Sequence, residues 1–156
     1  AAATVPTAAT AVAQPPQSSW ADIETAVVSE TNAVRAQNGL PALRTVPRLR
    51  RAARGHSSFL SDTGLFQHED RRGRPFWNRL VRVGYPRRAT MAENIAMIGG
   101  TCSPDVAREA VRMWMASPPH RANILNRGMR AVGVGVVASP DCSRIYFTAD
   151  YGSSTR

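Results

Sequence analysis

The sequence contains no lysine, and all 20 of its basic residues are arginine. Because lysine serves as well as arginine on most protein surfaces, a coding bias toward GC-rich codons explains this better than any chemistry. Long hydrophobic runs are also absent, since the longest has about eight residues where a transmembrane helix needs about 20. At 156 residues and 43% hydrophobic content, the chain predicts one globular domain with its own core and no transmembrane segment.

Several catalytic motifs are missing as well. There is no Gly-x-Ser-x-Gly turn, no glycine-rich phosphate loop, no Cys-x-x-Cys pair and no His-Glu-x-x-His run. The sequence therefore carries no marked serine nucleophile and no local zinc-protease motif, and any catalytic site must be assembled from distant residues.

Only two cysteines are present, Cys102 and Cys142, and both stand beside turn signals. An even count fits one disulfide and an oxidising compartment, while two free thiols remain the alternative. If bridged, the pair would stabilise the fold by roughly 4 kcal/mol according to the chain-entropy relation.

The N-terminal stretch 1–18 is rich in alanine, proline, threonine and glutamine, and it carries no charge. It has neither the basic start nor the long apolar centre of a signal peptide. We interpret it as a flexible tether of an exported protein whose signal peptide has been removed, followed by a single domain over 19–156.

The positive charge is concentrated in one region. Between Arg44 and Arg88, twelve arginines face only three acids, which accounts for the whole net charge of +9, and the rest of the chain is neutral. Such a region could bind an anionic polymer, a lipid surface or nucleic acid, or it could be a solvated face that keeps the protein soluble. Nucleic acid is disfavoured because no nucleic-acid-binding motif accompanies the charge.

Hydrophobic periodicity predicts helices followed by strands. Apolar spacing and terminal signals predict five helices. The first is capped at Ser19, and the fifth begins at Ser117. The three between them run over Pro47–Asp62, Pro75–Val83 and Ser103–Met115. The segments "AVGVGVVAS" and "RIYFTADYG" predict a β-hairpin, and a further strand is expected within "TMAENIAMI". The pattern indicates an α+β fold layered around an antiparallel sheet.

The three histidines differ in context. His56 lies on the apolar face of the second helix, which is typical of a buried hydrogen-bonding residue. His68 lies in the loop "GLFQHED", where the core pattern does not require it. His120 falls in the first turn of the helix that follows Ser117, where free N–H groups and the helix dipole should lower its pKa. A neutral imidazole there suits a metal ligand or a general base.

Glu93 is the acid with the most unusual surroundings. It stands in "AENIA", flanked by apolar residues, so it is either exposed at a strand edge or held by a partner. Its spacing from His68 and His120 matches no local metal motif, and a shared site for these three residues is therefore a hypothesis.

Several segments together resemble the CAP superfamily of cysteine-rich secretory, antigen 5 and pathogenesis-related 1 proteins. They are "NAVRAQNGLPALR", "LRRAARGHSSFL", "GLFQH", "AENIA", "WMASPPHRANILN" and "GVGV…IYFTADYG", in the order found in that family. The resemblance covers about residues 22–152 and is greatest to the secreted single-domain bacterial branch. It implies a three-layer α-β-α sandwich with a central antiparallel sheet.

The same resemblance implies a cleft with two histidines and two acids. His68 and His120 match the histidines, and Glu93 matches one acid. Ser117 stands where eukaryotic members have the second acid, so Ser117, Glu69 and Asp70 are the candidates for the fourth corner. Two histidines and a carboxylate would suit Zn²⁺ or another divalent cation with an open coordination position.

Three functions remain open from the sequence. The first is a secreted, envelope-associated protein that binds an anionic envelope polymer or lipid through its arginines, with a metal in the cleft. The second is a peptidoglycan hydrolase with Glu93 as general acid or base, assisted by His68 and His120, although glycan cleavage normally needs two carboxylates. In the third, the cleft is purely structural.

Overall fold

The computed structural model describes residues 17–100, 102–103 and 105–156, with side chains from Trp20 onward. Most of the predicted tether therefore lies outside the described residues, and its last two residues belong to the first helix. Within the described chain, five helices and four strands follow one another as α1 (Gln17–Gln37), β1 (Arg44–Thr45), α2 (Pro47–Thr63), α3 (Phe76–Arg82), β2 (Met91–Gly99), α4 (Val106–Ala116), α5 (Pro118–Ile124), β3 (Ala131–Ala138) and β4 (Arg144–Gly152).

The sheet has the strand order β1-β3-β4-β2, and β4 pairs antiparallel with both β2 and β3. Helices α2 and α3 contact one face of the sheet, while α1, α4 and α5 pack on the other side. The predicted α+β class and three-layer sandwich are thus confirmed. The sheet differs from a purely antiparallel one because the two-residue strand β1 pairs parallel with β3.

Two glycines of β3 allow α2 to lie directly on the sheet. A β-carbon on Gly133 would stand 2.0 Å from the backbone nitrogen of Arg50, and one on Gly135 would stand 2.2 Å from that of Arg54. No side chain fits at either position. The alternation of glycine and valine in "AVGVGVVA" therefore places valines in the core beneath α1 and α4 and leaves the opposite face open for the α2 backbone.

The larger core lies between the sheet and the layer of α1 and α4. Trp114 is 1% exposed there, and its indole N–H donates a hydrogen bond of 3.0 Å to the carbonyl of Ile95. This bond fastens α4 to the outer edge of β2, because a buried tryptophan N–H needs an acceptor. The start of the "WMASPPHRANILN" segment is thus a core anchor.

Two predicted helix starts need correction. Helix α1 begins at Gln17, so Ser19 lies within the helix rather than at its cap. Helix α4 begins at Val106 because Ser103 instead forms a turn before it, in which its carbonyl accepts from the Val106 N–H. Ser117 does precede α5 as predicted, but its hydroxyl makes no capping hydrogen bond.

Cys102 and Cys142 form a disulfide with their Cα atoms 5.6 Å apart, which confirms the predicted bridge. It joins the segment between β2 and α4 to the turn between β3 and β4. The covalent link therefore closes one end of the sheet.

A separate observation concerns membrane insertion. Within the described residues, no helix combines the length and the apolar character required to cross a bilayer.

Candidate functional site

Glu93 is the centre of a polar cluster that brings together three segments. It belongs to β2 and is 4% exposed. Its Oε1 lies 2.8 Å from Nδ1 of His68, and its Oε2 pairs with the guanidinium of Arg79 from α3. Arg79 also donates a hydrogen bond of 3.0 Å to the carbonyl of His68. Both oxygens of Glu93 are thus engaged.

Asp150 lies behind Glu93, since the two residues are directly opposed on β4 and β2. It is completely buried, and neither of its side-chain oxygens accepts a hydrogen bond from a donor among the described residues. Burial, and then the negative charge of Glu93, raise the pKa of Asp150 well above its usual value. A protonated Asp150 is able to donate to Glu93, so the geometry favours an ionised Glu93 beside a neutral Asp150.

Burial also raises the pKa of Glu93, but the positive charge of Arg79 and hydrogen bonding oppose that shift. Because Glu93 has these stabilising partners, Glu93 stays ionised and Asp150 keeps the proton. The four residues His68, Arg79, Glu93 and Asp150 are called the Glu93 cluster below.

The two cleft histidines are both favoured in the neutral form. Burial is the main cause that lowers the pKa of His68, whose side chain remains 44% exposed. A neutral His68 that donates from Nδ1 to Glu93 leaves Nε2 as an acceptor. Burial also lowers the pKa of His120, and the charge of His68 lowers it further. The predicted direction is thus found for His120, although burial rather than the helix dipole is the main cause.

His120 is joined to the site differently from His68. Its backbone carbonyl accepts a hydrogen bond of 3.1 Å from the side chain of Asn94, and Asn123 donates to the carbonyl of Glu93 at 3.2 Å. Helix α5 is therefore held on the edge of β2 by asparagines. His56, by contrast, is buried and donates from Nε2 to the carbonyl of Gln67 at 2.9 Å, the structural role expected from the sequence.

The arrangement does not fit the expected metal site. Among the described residues, no three histidine, cysteine, aspartate or glutamate side chains are placed to hold a metal ion together. Both oxygens of Glu93 are engaged, and Arg79 puts a fixed positive charge where a dication would need the carboxylate. The prediction of Zn²⁺ or another divalent cation on His68, His120 and Glu93 is not confirmed.

The three fourth-corner candidates make no bond to Glu93. Glu69 is exposed, and Asp70 holds its own loop together by an ion pair of 2.7 Å with Arg74. Ser117 lies beside His120 in the wall of a groove. The second carboxylate of the cluster is instead contributed by β4.

Sequence reasoning missed Asp150 and Arg79. Asp150 alternates with Tyr146 and Thr148 on one face of β4, so an acid at that position was a visible signal of a buried carboxyl. Its partner depends on the register between β2 and β4, and a single sequence does not reveal the register of two strands that are distant along the chain. Arg79 was one arginine among many in the basic region.

An apolar groove of about 280 Å³ runs along β2 from the His120 end of the cleft. Two large apolar side chains of the groove are exposed to solvent, since Met113 is 37% exposed and Phe66 is 50% exposed. The lining residues are Phe66, Ile95, Ala96, Met97, Met113, Trp114, Ser117 and His120. The cleft thus has a polar end and an apolar end.

The arginines of the basic region are largely without acidic partners. Four of the twelve approach a carboxylate, as in the 2.6 Å pair of Arg54 with Glu24. The other eight have no carboxylate within 4.0 Å in the described chain. They lie on β1, on α2 and in the loops around α3, and we call them the Arg-rich layer: Arg44, Arg48, Arg50, Arg51, Arg71, Arg72, Arg87 and Arg88.

A three-layer sandwich with this cleft beside β2 agrees with the match of residues 28–151 to the cysteine-rich secretory protein family, CAP. The chain belongs to that family.

Three bacterial proteins are among the relatives. The chain is 37% identical to the uncharacterized protein YkwD of Bacillus subtilis over 123 residues, which cover 78% of this chain and 45% of YkwD. An extracellular SCP-domain protein from Bacillus anthracis has a TM-score of 0.74 at 25% identity, with 89% of this chain and 44% of that protein covered. A cysteine-rich secretory protein from Staphylococcus aureus gives 0.69 at 18% identity, covering 91% and 42% respectively. The chain therefore spans less than half the length of these relatives.

Proposed function

We propose that this CAP domain acts outside the cytoplasm and binds an anionic polymer of the cell envelope through the Arg-rich layer. The observation that carries the proposal is the set of eight arginines that have no carboxylate within 4.0 Å in the described chain, in a protein whose residues outside 44–88 are neutral overall. Guanidinium groups bind phosphate and carboxylate in bidentate geometry, and repeated anionic groups engage several arginines at once.

Two further observations support the location. The Cys102–Cys142 disulfide is typical of oxidising compartments. The structurally similar proteins from B. anthracis and S. aureus are described as extracellular and secretory, respectively. An exported domain with an arginine-rich surface encounters envelope polymers before other polyanions.

Sedimentation with purified cell walls tests this function. Walls that retain their anionic polymers should bind the domain at low salt and release most of it between about 50 mM and about 500 mM NaCl, because screening shortens the range of exposed charges. Walls stripped of those polymers serve as the control and should bind little. Binding that is equal on both preparations and insensitive to salt would contradict the proposal.

Anionic lipid vesicles form the second arm of the same experiment. An arginine-rich surface also attracts lipid headgroups, so vesicles with and without an anionic phospholipid should be compared with the walls. Strong binding to anionic vesicles together with none to the walls would replace the polymer by a lipid surface as the partner.

The Glu93 cluster supports a structural role for the cleft in preference to wall hydrolysis. A general acid or base must reach the substrate, whereas Glu93 is 4% exposed and both its oxygens are held by His68 and Arg79. Incubating peptidoglycan with wild-type protein and with Glu93→Gln should release equal background amounts of soluble fragments. Release by the wild type alone would restore the hydrolase.

A further inference from the structure

A second groove lies on the outer side of α3, within the basic region of the molecule. It has a volume of about 280 Å³ and an exposed indole, since Trp77 is 50% exposed. Its lining consists of Phe76, Trp77, Val81, Arg87, Ala89 and Met91.

The indole of Trp77 is supported from below. The ring of Phe76 meets it edge-on, with centroids 5.4 Å apart and an interplanar angle of 81°. Phe76 in turn packs on the core cluster that contains the buried residues Leu80 and Tyr85. A large aromatic side chain is thus held half-exposed by core residues, an arrangement suited to contact with another molecule.

The groove also has a positive wall. Arg87 lines it, and neither Arg87 nor the adjacent Arg88 has a carboxylate within 4.0 Å in the described chain. The lining includes no acid. An occupant that satisfies both features needs a flat apolar face for Trp77 and an anionic group for Arg87.

We propose that this groove binds one sugar ring of an anionic glycan. The C–H face of the ring packs on the indole of Trp77, and a phosphate or carboxylate substituent of the glycan pairs with Arg87. An acyl chain would leave Arg87 without a partner, and an acidic peptide offers no comparable flat apolar face. The inference rests on the proposed function, because it identifies the part of the Arg-rich layer that recognises the polymer.

The test measures equilibrium binding of the full chain to three soluble polyanions of similar charge density. Polygalacturonate is a carboxylate glycan, phosphorylated dextran is a phosphate glycan, and polyglutamate has no sugar. Trp77→Ala should weaken binding to at least one of the two glycans roughly tenfold, with unchanged binding to polyglutamate, and Trp77→Phe should restore most of the loss.

Arg87→Ala should weaken glycan binding more than Arg51→Ala, which removes one exposed arginine of α2 that lies outside the groove and has no carboxylate within 4.0 Å in the described chain. The polymer that responds to Trp77→Ala distinguishes a phosphate from a carboxylate substituent, and either result supports the groove. A thermal midpoint for each variant shows that the fold is intact.

Two failures are distinguishable. Wild-type protein that binds none of the three polyanions contradicts the proposed function itself. Wild-type protein that binds them while Trp77→Ala changes all three equally, or changes none, overturns the sugar groove and leaves the Arg-rich layer as a nonspecific polyanion surface. Equal losses in Arg87→Ala and Arg51→Ala also overturn the groove.

Discussion

Glu93 illustrates how one side chain determines the character of the cleft. Its carboxylate holds the guanidinium of Arg79, which is 11% exposed, and the ring of His68. Each partner comes from a segment outside the sheet, so Glu93 fastens α3 and the loop before it onto β2. Glu93, the candidate catalytic acid of the sequence, therefore also anchors two neighbouring segments.

Removing that charge should destabilise the fold. Glu93→Gln keeps the side-chain shape but leaves Arg79 without its counter-ion, and we expect the free energy of unfolding to fall by about 3 kcal/mol. Urea denaturation measures the change. Glu69→Gln, at an exposed position with no ion pair in the described chain, is the matched control and should shift the midpoint little. Equal stability of both variants would contradict the anchoring role.

Asp150 predicts a distinct pH dependence. Its pKa is raised in the folded state, mainly by burial, so above the ordinary value of 3.8 the folded protein holds a proton that the unfolded chain has lost. This group therefore lowers stability as the pH rises from about 4 toward neutrality. Asp150→Asn removes the titration and keeps the polar shape.

The thermal midpoint of Asp150→Asn relative to wild type should accordingly be higher at pH 7 than at pH 4. Differential scanning calorimetry at the two pH values measures this difference. A constant offset would show that Asp150 titrates alike in the folded and unfolded states.

At the scale of elements, close contact between α2 and β3 is a strong constraint. A β-carbon at Gly135 would overlap the α2 backbone at Arg54, so Gly135→Ala should cost about 3 kcal/mol or prevent folding. Gly55→Ala is a matched control on α2 itself, because nothing lies within 4 Å of its added carbon. The control should gain up to about 1 kcal/mol of stability from helix propensity. Chemical denaturation of both variants tests the contact, and equal stabilities would contradict it.

The elements also show what a single sequence reveals. Helix α2 was predicted well because it is amphipathic and bounded by Pro47 and Gly64. The start of α4 was misplaced because Ser103 has the chemistry of a cap and uses it in a turn instead. The two-residue strand β1 has too few residues for a periodic signal.

Buried arginine was the hardest feature to foresee. Arg35 of α1 is fully buried and donates to four backbone carbonyls, including that of Ile124 at 2.7 Å. Arginine is nearly always exposed unless paired, so neither Arg35 nor Arg79 could be separated from the surface arginines by pattern alone. The motif residues His68, Glu93 and His120 were predictable, whereas their partners required the three-dimensional register.

At the scale of the whole molecule, the disulfide closes the end of the sheet opposite the Glu93 cluster along β2. Cys102 and Cys142 are separated by 40 residues, so reduction should lower the free energy of unfolding by roughly 4 kcal/mol. Urea denaturation with and without a thiol reductant measures this loss. The double variant Cys102→Ser and Cys142→Ser should have the same stability as the reduced protein, and adding the reductant should not change it. A loss of stability of this variant on adding the reductant would show that the effect does not come from the disulfide.

The central claim is that the Arg-rich layer, and not the net charge of the molecule, binds the anionic wall polymers. Paired charge reversals test this claim most directly. Arg71→Glu with Arg88→Glu changes the Arg-rich layer, while Arg108→Glu with Arg144→Glu makes the same change in net charge on α4 and at the start of β4. Binding to walls that retain their anionic polymers is measured for both at low salt. The account predicts that only the first pair abolishes binding; equal losses, or none, would contradict a specific arginine surface.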